Sequence, residues 1–573
     1  MNSKKMDIGS KDLISNLPEA LIGHILSFLP TKDAALTSVL SKRWRHMLAF
    51  VPNLDFDDED YEDYNRYDMS PLKRLKMLTS FQVFVDRVLA LQGNAPVNKF
   101  SLSCELGVEP SSVNRWLSNV LERGVLDLDL YVSLEDGYPL LLSQVLMSKT
   151  LVRLKVEGTT DFSTDVGEVF LPKLKTLYLD DLAFNDEGGA AFAKLTSGCH
   201  VLEELVMIDI VFYCDFFLVS NPTLKRLKVR LDFTDQKPNT VSFDTPNLVY
   251  LEFTDTVGAK YPKANFDSLV EANLDLRMRH YQDEDEPAGD SEDSTNLIME
   301  IYNVKILYLS GATLEVLALC CKAIPIFSNL IRLTIDTHEE VQWEFLPKLL
   351  ENCPNLETLV FGVLSTIHCK PWEDTRTCLS SSPVKMLKSE PADDSVDATN
   401  LFMGICNVEI LYLSGATLEI LASCCKAIPV FTNLIHLNIN THGNIQWKSL
   451  PKLLVNCPNL ETLVLEGLNY IGTIHCKPWE DTRTCLSSSP VKMLKVLRFG
   501  QINLLEKVDV IDKQKEVIKY LLETMPNLEQ VMIYYDTSFD DDPSILSTEL
   551  QMLEKVASPK CKIQVISANI RFS

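Results

Sequence analysis

LIRLTIDT (Leu330 to Thr337) and LIHLNINT (Leu434 to Thr441) are one segment written twice, with changes only at Arg332/His436, Thr334/Asn438 and Asp336/Asn440. The changed positions alternate with unchanged ones. A β-strand sends alternate side chains to opposite faces, so the constant Leu333/Leu437 and Ile335/Ile439 belong to a core. The variable positions then lie on an exposed sheet face.

The same six-residue pattern, with substitutions, returns along the chain. It appears as VNKFSL (from Val97), VLDLDL (Val125), LVRLKV (Leu151), LKTLYL (Leu174), LEELVM (Leu202), LKRLKV (Leu224) and LVYLEF (Leu248). A second series follows as VKILYL (Val304), LIRLTI (Leu330), LETLVF (Leu356), VEILYL (Val408), LIHLNI (Leu434), LETLVL (Leu460), LKVLRF (Leu494) and LEQVMI (Leu528). Spacings of about 21 to 28 residues within the first series match the leucine-rich-repeat period. Such strands bury their apolar residues only against neighbouring units, which predicts parallel strands stacked in a solenoid. SLPKLLVNCPNL (Ser449 to Leu460) has the form of a helical return leg stopped by Pro458. The fold class is therefore α/β.

A block beginning EPAGDSEDSTNL at Glu286 returns as EPADDSVDATNL at Glu390. The offset of about 104 residues is close to four repeats of about 26, so the block extends a solenoid without disturbing its stacking.

Composition narrows the function. The chain has 573 residues, too many for one ordinary core, and a formal charge of −25. Phosphate neutralisation needs surplus Lys and Arg, so no nucleic-acid partner is expected. Acidic runs at Asp55 to Asp68, Asp283 to Asp293 and Phe539 to Asp542 read as solvated loops. No apolar run has membrane-spanning length and MNSKKMDIGSKD lacks a signal-peptide core, so no membrane and an intracellular location, cytoplasm or nucleus, are expected. Fifteen cysteines, mostly within apolar runs such as LALCCKAI, read as reduced and buried.

Near the N-terminus, Leu21, Ile22, Ile25, Leu26 and Leu29 recur at helical spacing between Pro18 and Pro30. A second helix, capped by Asp33, is predicted to carry Leu36, Val39, Leu40, Trp44 and Leu48 on one face. Some forty residues bury little surface alone, so this module either docks on a partner or covers the open end of the repeat array. Leu17-Pro18, Ile25-Leu26-Ser27-Phe28-Leu29-Pro30 and Ser38-Val39-Leu40-Ser41-Lys42-Arg43-Trp44 resemble an F-box. The resemblance implies docking on the Skp adaptor of a cullin-based ubiquitin ligase through Leu17, Pro18, Ile22, Ile25, Leu26, Leu29, Val39, Leu40 and Trp44.

On the exposed sheet face, Arg153, Lys155, Arg226, Lys228, Arg230, Tyr308, Arg332, Tyr412 and His436 are the candidate target-binding residues. The basic ones are expected to attract an acidic segment of a target, and the tyrosines to add contact area at low entropy cost.

TIHCKPWEDTRTCLSSSPVKMLK occurs at Thr366 to Lys388 and again at Thr473 to Lys495. Its His368, Cys369 and Cys378, like His475, Cys476 and Cys485, lack paired zinc-ligand spacing, and no nucleophile elbow or phosphate loop accompanies them. No metal, cofactor or catalytic residue is expected. The second copy, continuing through KVLRFG and EVIKYLLETMPNLEQVMI, resembles the FBD region of plant F-box/leucine-rich-repeat proteins, while the first copy is cut off by the next block.

The expected organisation is an F-box at 10–52, an acidic linker and covering helix at 53–95, a solenoid at 96–471 and an FBD domain at 472–566. The duplicated blocks fall at 286–389 and 390–495. The resemblance implies a non-enzymatic substrate-recognition subunit of a Skp–cullin–F-box ubiquitin ligase. The rival expectations are a binding scaffold whose F-box assembles no ligase and, last, an enzyme with a Cys/His centre.

Overall fold

A computed structural model describes residues 17–39, 42–58, 71–105, 107–132, 143–162, 167–184, 189–231, 238, 240–257, 261–278, 296–320, 324–336, 345–363, 386–390, 408–414, 418, 428, 430–440, 449–468, 486–499, 509–535 and 560–567. The chain divides into two compact units, Met1–Ser268 and Leu269–Ser573.

The first unit opens with α1 (Glu19–Leu26), α2 (Thr31–Leu36) and α3 (Lys42–Met47). Pro18 and Pro30 precede α1 and α2 as extended N-cap residues, where their missing N–H costs nothing. The single second helix predicted from an Asp33 cap is instead broken. Asp33 lies in the first turn of α2, where its charge suits the helix dipole. The Thr37 hydroxyl then bonds the Ala34 carbonyl at 2.6 Å, and Thr37–Val39 turns as a 3-10 segment before α3.

Among the described residues, eight parallel strands follow as one sheet in the order β1 (Asn53–Asp57), β2 (Lys99–Cys104), β3 (Asp127–Val132), β4 (Arg153–Phe162), β5 (Thr176–Phe184), β6 (Glu204–Ile208), β9 (Arg226–Arg230) and β11 (Tyr250–Val257). A two-residue strand, β7 (Val211–Phe212), also pairs with β5. The return legs include α4 (Pro71–Gln92), α5 (Pro110–Glu122) and Ala190–Ser197. Later returns are extended: β8 (Phe216–Ser220), β10 (Thr240–Asp244) and β12 (Ala264–Asn265) make a second, three-stranded parallel sheet. Phe184, Phe192, Phe212 and Phe217, all buried, pack as one aromatic cluster, with Phe212 and Phe217 centroids 4.3 Å apart. Gly158, at φ +113°, sits at a bulge of β4 where a Cβ would lie 2.9 Å from the Val132 carbonyl oxygen.

Strand β1 corrects the expected acidic linker. Leu54 and Phe56 are buried, while the intervening acids occupy the other face, so the acid run concealed a period-two strand. The covering helix expected within 53–95 is α4, Pro71–Gln92, with Gly93 at φ +55° closing it.

The second unit stacks its strands in chain order, all parallel: β13 (Glu271–Met278), β14 (Ile306–Ser310), β15 (Arg332–Asp336), β16 (Thr358–Val363), β17 (Met386–Glu390), β18 (Ile410–Ser414), β19 (His436–Asn440), β20 (Thr462–Glu466), β21 (Met493–Phe499), β22 (Gln530–Tyr535) and β23 (Lys562–Ser567). Short helices such as Gly311–Cys320, Leu346–Glu351, Ser449–Leu454 and Asp509–Thr524 return the chain. The alternation read from the duplicated segment holds: Leu333, Ile335, Leu437 and Ile439 are buried, and Arg332 and His436 are exposed. Each fully buried aliphatic side chain, such as Leu307, Leu333, Leu359, Leu411, Leu437 or Leu463, contributes about 1.5–3 kcal/mol.

The first block supplies β14 to β17, and the second supplies β18 to β20 and the start of β21. β20 pairs directly with β21, so the expected FBD boundary at 472 falls inside one continuous ladder. An unanticipated regularity ties the turns together. In the Pro-Asn-Leu triplets, the Asn247, Asn355, Asn459 and Asn527 side-chain amides donate to the Pro222, Ser328, Thr432 and Ser489 carbonyls of the preceding repeat, each at 2.8 Å. Cys353 and Cys457 match as well, each thiol buried 3.2 Å from a helix carbonyl and pushed up to about 12 by desolvation. These thiols are inert at neutral pH.

Candidate functional site

The N-terminal helices have two different faces. Ile22, Leu26, Ala34, Trp44, Met47 and Leu48 are buried in the first unit. Helix α2 packs on β1, where the Thr31 hydroxyl accepts the Asp55 amide at 2.7 Å. The Gln92 amide, at the end of α4, donates to the Leu48 and Val51 carbonyls at 3.2 and 2.8 Å. A guanidinium nitrogen of Arg43 donates to the Leu17 carbonyl, joining α3 to the start of α1.

The other face carries Leu21, Ile25, Phe28, Leu29, Leu36 and Val39 into solvent, with Phe28 74 % and Val39 81 % exposed. So much contiguous apolar surface on a short module marks an interaction face. Of the predicted docking residues, Pro18, Ile25, Leu29 and Val39 are exposed and Leu17 is half-buried. Ile22, Leu26 and Trp44 point inward and hold the helices in place, and Leu40 lies outside the described residues. The single apolar stripe thus separates by one residue of helical phase into a core edge (22, 26) and an outer edge (21, 25).

On the sheet face of the first unit, register aligns Arg153 with Asp127, Lys155 with Asp129, and Arg226 with Glu204 across adjacent strands. The basic stripe is neutralised by these neighbours. Arg153 meets Asp127 at 3.5 Å, Lys155 meets Glu157 at 2.6 Å and Lys228 meets Glu252 at 2.6 Å. Arg230 grips both Asp209 oxygens, at 3.1 and 2.7 Å. Arg226 lies 3.7 Å from Glu204 and stacks 4.0 Å from the Tyr250 ring centroid. Desolvation pulls the Lys155 ammonium down, but Glu157 and Asp129 hold it above its ordinary value. Burial raises the Asp180 carboxyl, with Glu157 and Asp209 adding to the shift. The expected free positive patch is therefore a charge-balanced lattice, because strand register delivers acids from positions some 21 to 26 residues away.

In the second unit Tyr308 neighbours Thr334, and Tyr412 neighbours Asn438, in the same row of their respective blocks. Arg332 and His436 occupy the adjacent row, both exposed. The duplication has copied a patch of sheet face and replaced its charged residues, Arg332 and Asp336, with His436 and Asn440.

His368, Cys369, Cys378, His475, Cys476 and Cys485 lie outside the described residues. Among the described residues no three His, Cys, Asp or Glu side chains are grouped to hold a metal ion. Cys104, Cys199, Cys214, Cys353, Cys457 and Cys561 are free thiols. Among the described residues no helix is long and apolar enough to cross a membrane.

Comparison with known families gives two matches: the F-box domain over residues 14–54, and "FBD-associated F-box protein At5g56370, LRR repeats" over residues 113–270. The F-box/LRR-repeat protein At3g59190 of Arabidopsis thaliana is 58% identical over 384 residues, covering 64% of this chain and 97% of that protein. The putative F-box/LRR-repeat protein At3g59230 of the same plant is 44% identical over 589 residues, covering 100% of this chain and 98% of its own length. The F-box/LRR-repeat protein At4g14096, again of Arabidopsis thaliana, is 43% identical over 574 residues, covering 99% and 98%. With an F-box followed by parallel leucine-rich repeats and relatives aligned over its whole length, the chain belongs to the plant F-box/LRR-repeat protein family.

Proposed function

We propose that this protein is a non-catalytic substrate-recognition subunit of a Skp–cullin–F-box ubiquitin ligase. Its F-box docks on the Skp-type adaptor, and through it on a cullin, while the repeats hold a target protein for ubiquitination. The reading rests on the exposed Leu21, Ile25, Phe28, Leu29, Leu36 and Val39 face, set on helices whose opposite side is anchored to the repeat array. Pro18, Ile25, Leu29 and Val39 are the contact residues, and Ile22, Leu26 and Trp44 position them. The mechanism is proximity: holding a target lysine near a charged conjugating enzyme raises its effective concentration, so geometry replaces catalytic side chains. The work takes place in the cytoplasm or nucleus.

The test separates contact from folding. Ile25→Asp/Val39→Asp should lose Skp adaptor in a pull-down while keeping wild-type circular dichroism and melting temperature. Ile22→Ala, which opens a cavity in the buried side, should lower the melting temperature first. Equal adaptor recovery by wild type and the double variant would refute docking through this face.

A further inference from the structure

The Lys and Arg side chains on β4 and β9 are engaged within the sheet, whereas several lysines on the last strands are not. Strands β20 to β23 border a groove of about 640 Å³ at their N-terminal ends, lined among others by Glu461, Lys492, Glu529, Lys560 and Lys562. Lys492 is taken by Glu461 at 2.9 Å. Lys495, Lys560 and Lys562 have no carboxylate partner among the described residues. The register places Met493, Gln530 and Lys562 in one row, and Lys495, Met532 and Gln564 in the next.

We propose that this groove binds an acidic peptide segment of the target. The proposal deepens the reading of the repeats as a target-holding surface and rests on it. Lys560 and Lys562 supply uncommitted cations on a chain whose net charge is −25, so a local attraction for carboxylates stands out against a repulsive background. Gln530 donates to Gln564 at 3.3 Å, leaving the Gln564 amide hydrogens available to a peptide carbonyl. Met493 lines the groove and Met532 lies in the next row beside Gln564, both half-buried, and they offer adaptable apolar contact to a residue between the acids.

Lys562 and Lys495 stand two strands and one row apart. Two strand spacings and two residues of rise make a diagonal of about 12 Å. An extended peptide spans that in three to four residues, at about 3.3–3.6 Å each, which fixes the spacing of its two acids. Glu461 and Glu529 at the rim oppose a continuous polyanion, so a short acidic motif fits better than a nucleic acid.

The experiment uses the full chain and a fluorescein-labelled ten-residue peptide with two Glu three positions apart and Leu between them, read by anisotropy. Its Gln-for-Glu counterpart and a single-stranded oligonucleotide serve as alternatives. Binding should weaken at least tenfold with the Gln peptide, and by a similar factor for Lys560→Gln/Lys562→Gln, whose neutral side chains leave the fold intact. Lys175→Gln, whose ammonium is already paired with Glu203 at 3.2 Å, should change it less than twofold. Equal binding of Glu and Gln peptides, indifference to the double substitution, or tighter binding of the oligonucleotide would each overturn the proposal. Adaptor pull-down by the same double variant should match wild type. A variant that fails both assays points to misfolding, checked by its melting curve and resolved with the single Lys562→Gln change, while loss of adaptor docking alone concerns the F-box.

Discussion

Removing residues 286–389 takes out one duplicated block and, with it, strands β14 to β17. Strand β13 would then meet β18 in place of β14. In the native ladder Glu271, Ala272, Asn273 and Leu274 face Ile306, Leu307, Tyr308 and Leu309. After the deletion they would face Ile410, Leu411, Tyr412 and Leu413, which are the same residue types. Thr313, buried, accepts the Leu276 amide at 2.8 Å and donates to the Leu274 carbonyl at 3.0 Å, and Thr417 stands at the matching place in the second block. The new junction therefore reproduces the old one, and the shortened chain should fold. The loss of about 104 residues, at 12–15 cal/mol/K each, should reduce the heat capacity of unfolding by about 1.2–1.6 kcal/mol/K. The ladder should also shorten by about 19 Å, four spacings of 4.7–4.9 Å. Scanning calorimetry and solution scattering read the two quantities. A deletion variant lacking a cooperative transition, or showing no native circular dichroism, would refute the account of the block as whole, interchangeable repeats.

Because the asparagine bonds repeat at the same length, Asn355→Ala and Asn459→Ala should cost similar amounts, each about 0.5–1.5 kcal/mol in urea unfolding. A difference above about 1.5 kcal/mol between them would show that the two turns are not energetically equivalent. Tyr178 carries a pH signature. Desolvation first, then its hydrogen bond to Asp180 and the nearby Asp180 and Glu157 charges, pushes the phenol up to about 12. The folded value lies above the unfolded one, so its stabilising contribution is complete below pH 10 and is lost as pH rises through about 12. Asp180→Asn should move the Tyr178 ring titration in NMR to lower pH, and an unmoved titration would contradict the assigned partner.

How much the sequence revealed depended on whether the information lay along one strand or between strands. The duplicated LIRLTIDT and LIHLNINT segments carried their own period, and the burial of Leu333, Ile335, Leu437 and Ile439 follows from it. Strand β13 escaped because Ala272 fills the place where the pattern expects a large aliphatic residue, although it is fully buried. Strand β1 escaped because acids alternate with Leu54 and Phe56. On the N-terminal helix the apolar residues were legible, but Leu21 and Ile22 are adjacent in sequence and only packing decides which faces in. The partners of Arg153, Lys228 and Arg230 were beyond reach, since their carboxylates become neighbours only once register is set. Lys495, Lys560 and Lys562 were passed over for the converse reason: their value lies in the absence of such a neighbour among the described residues.

The bond from the Asp55 amide to the Thr31 hydroxyl gives the N-terminal helices a structural duty of their own. A parallel ladder must begin somewhere, and its first strand offers unpaired backbone groups that would recruit any other extended chain. Here α2 lies over that beginning. Removing the F-box would then do more than delete an exposed apolar face: it would uncover the edge of β1 and free its backbone groups to pair with other extended chains. The exposed apolar face and the cover of the first strand are in this way carried by the same forty residues, so neither can be removed without disturbing the other.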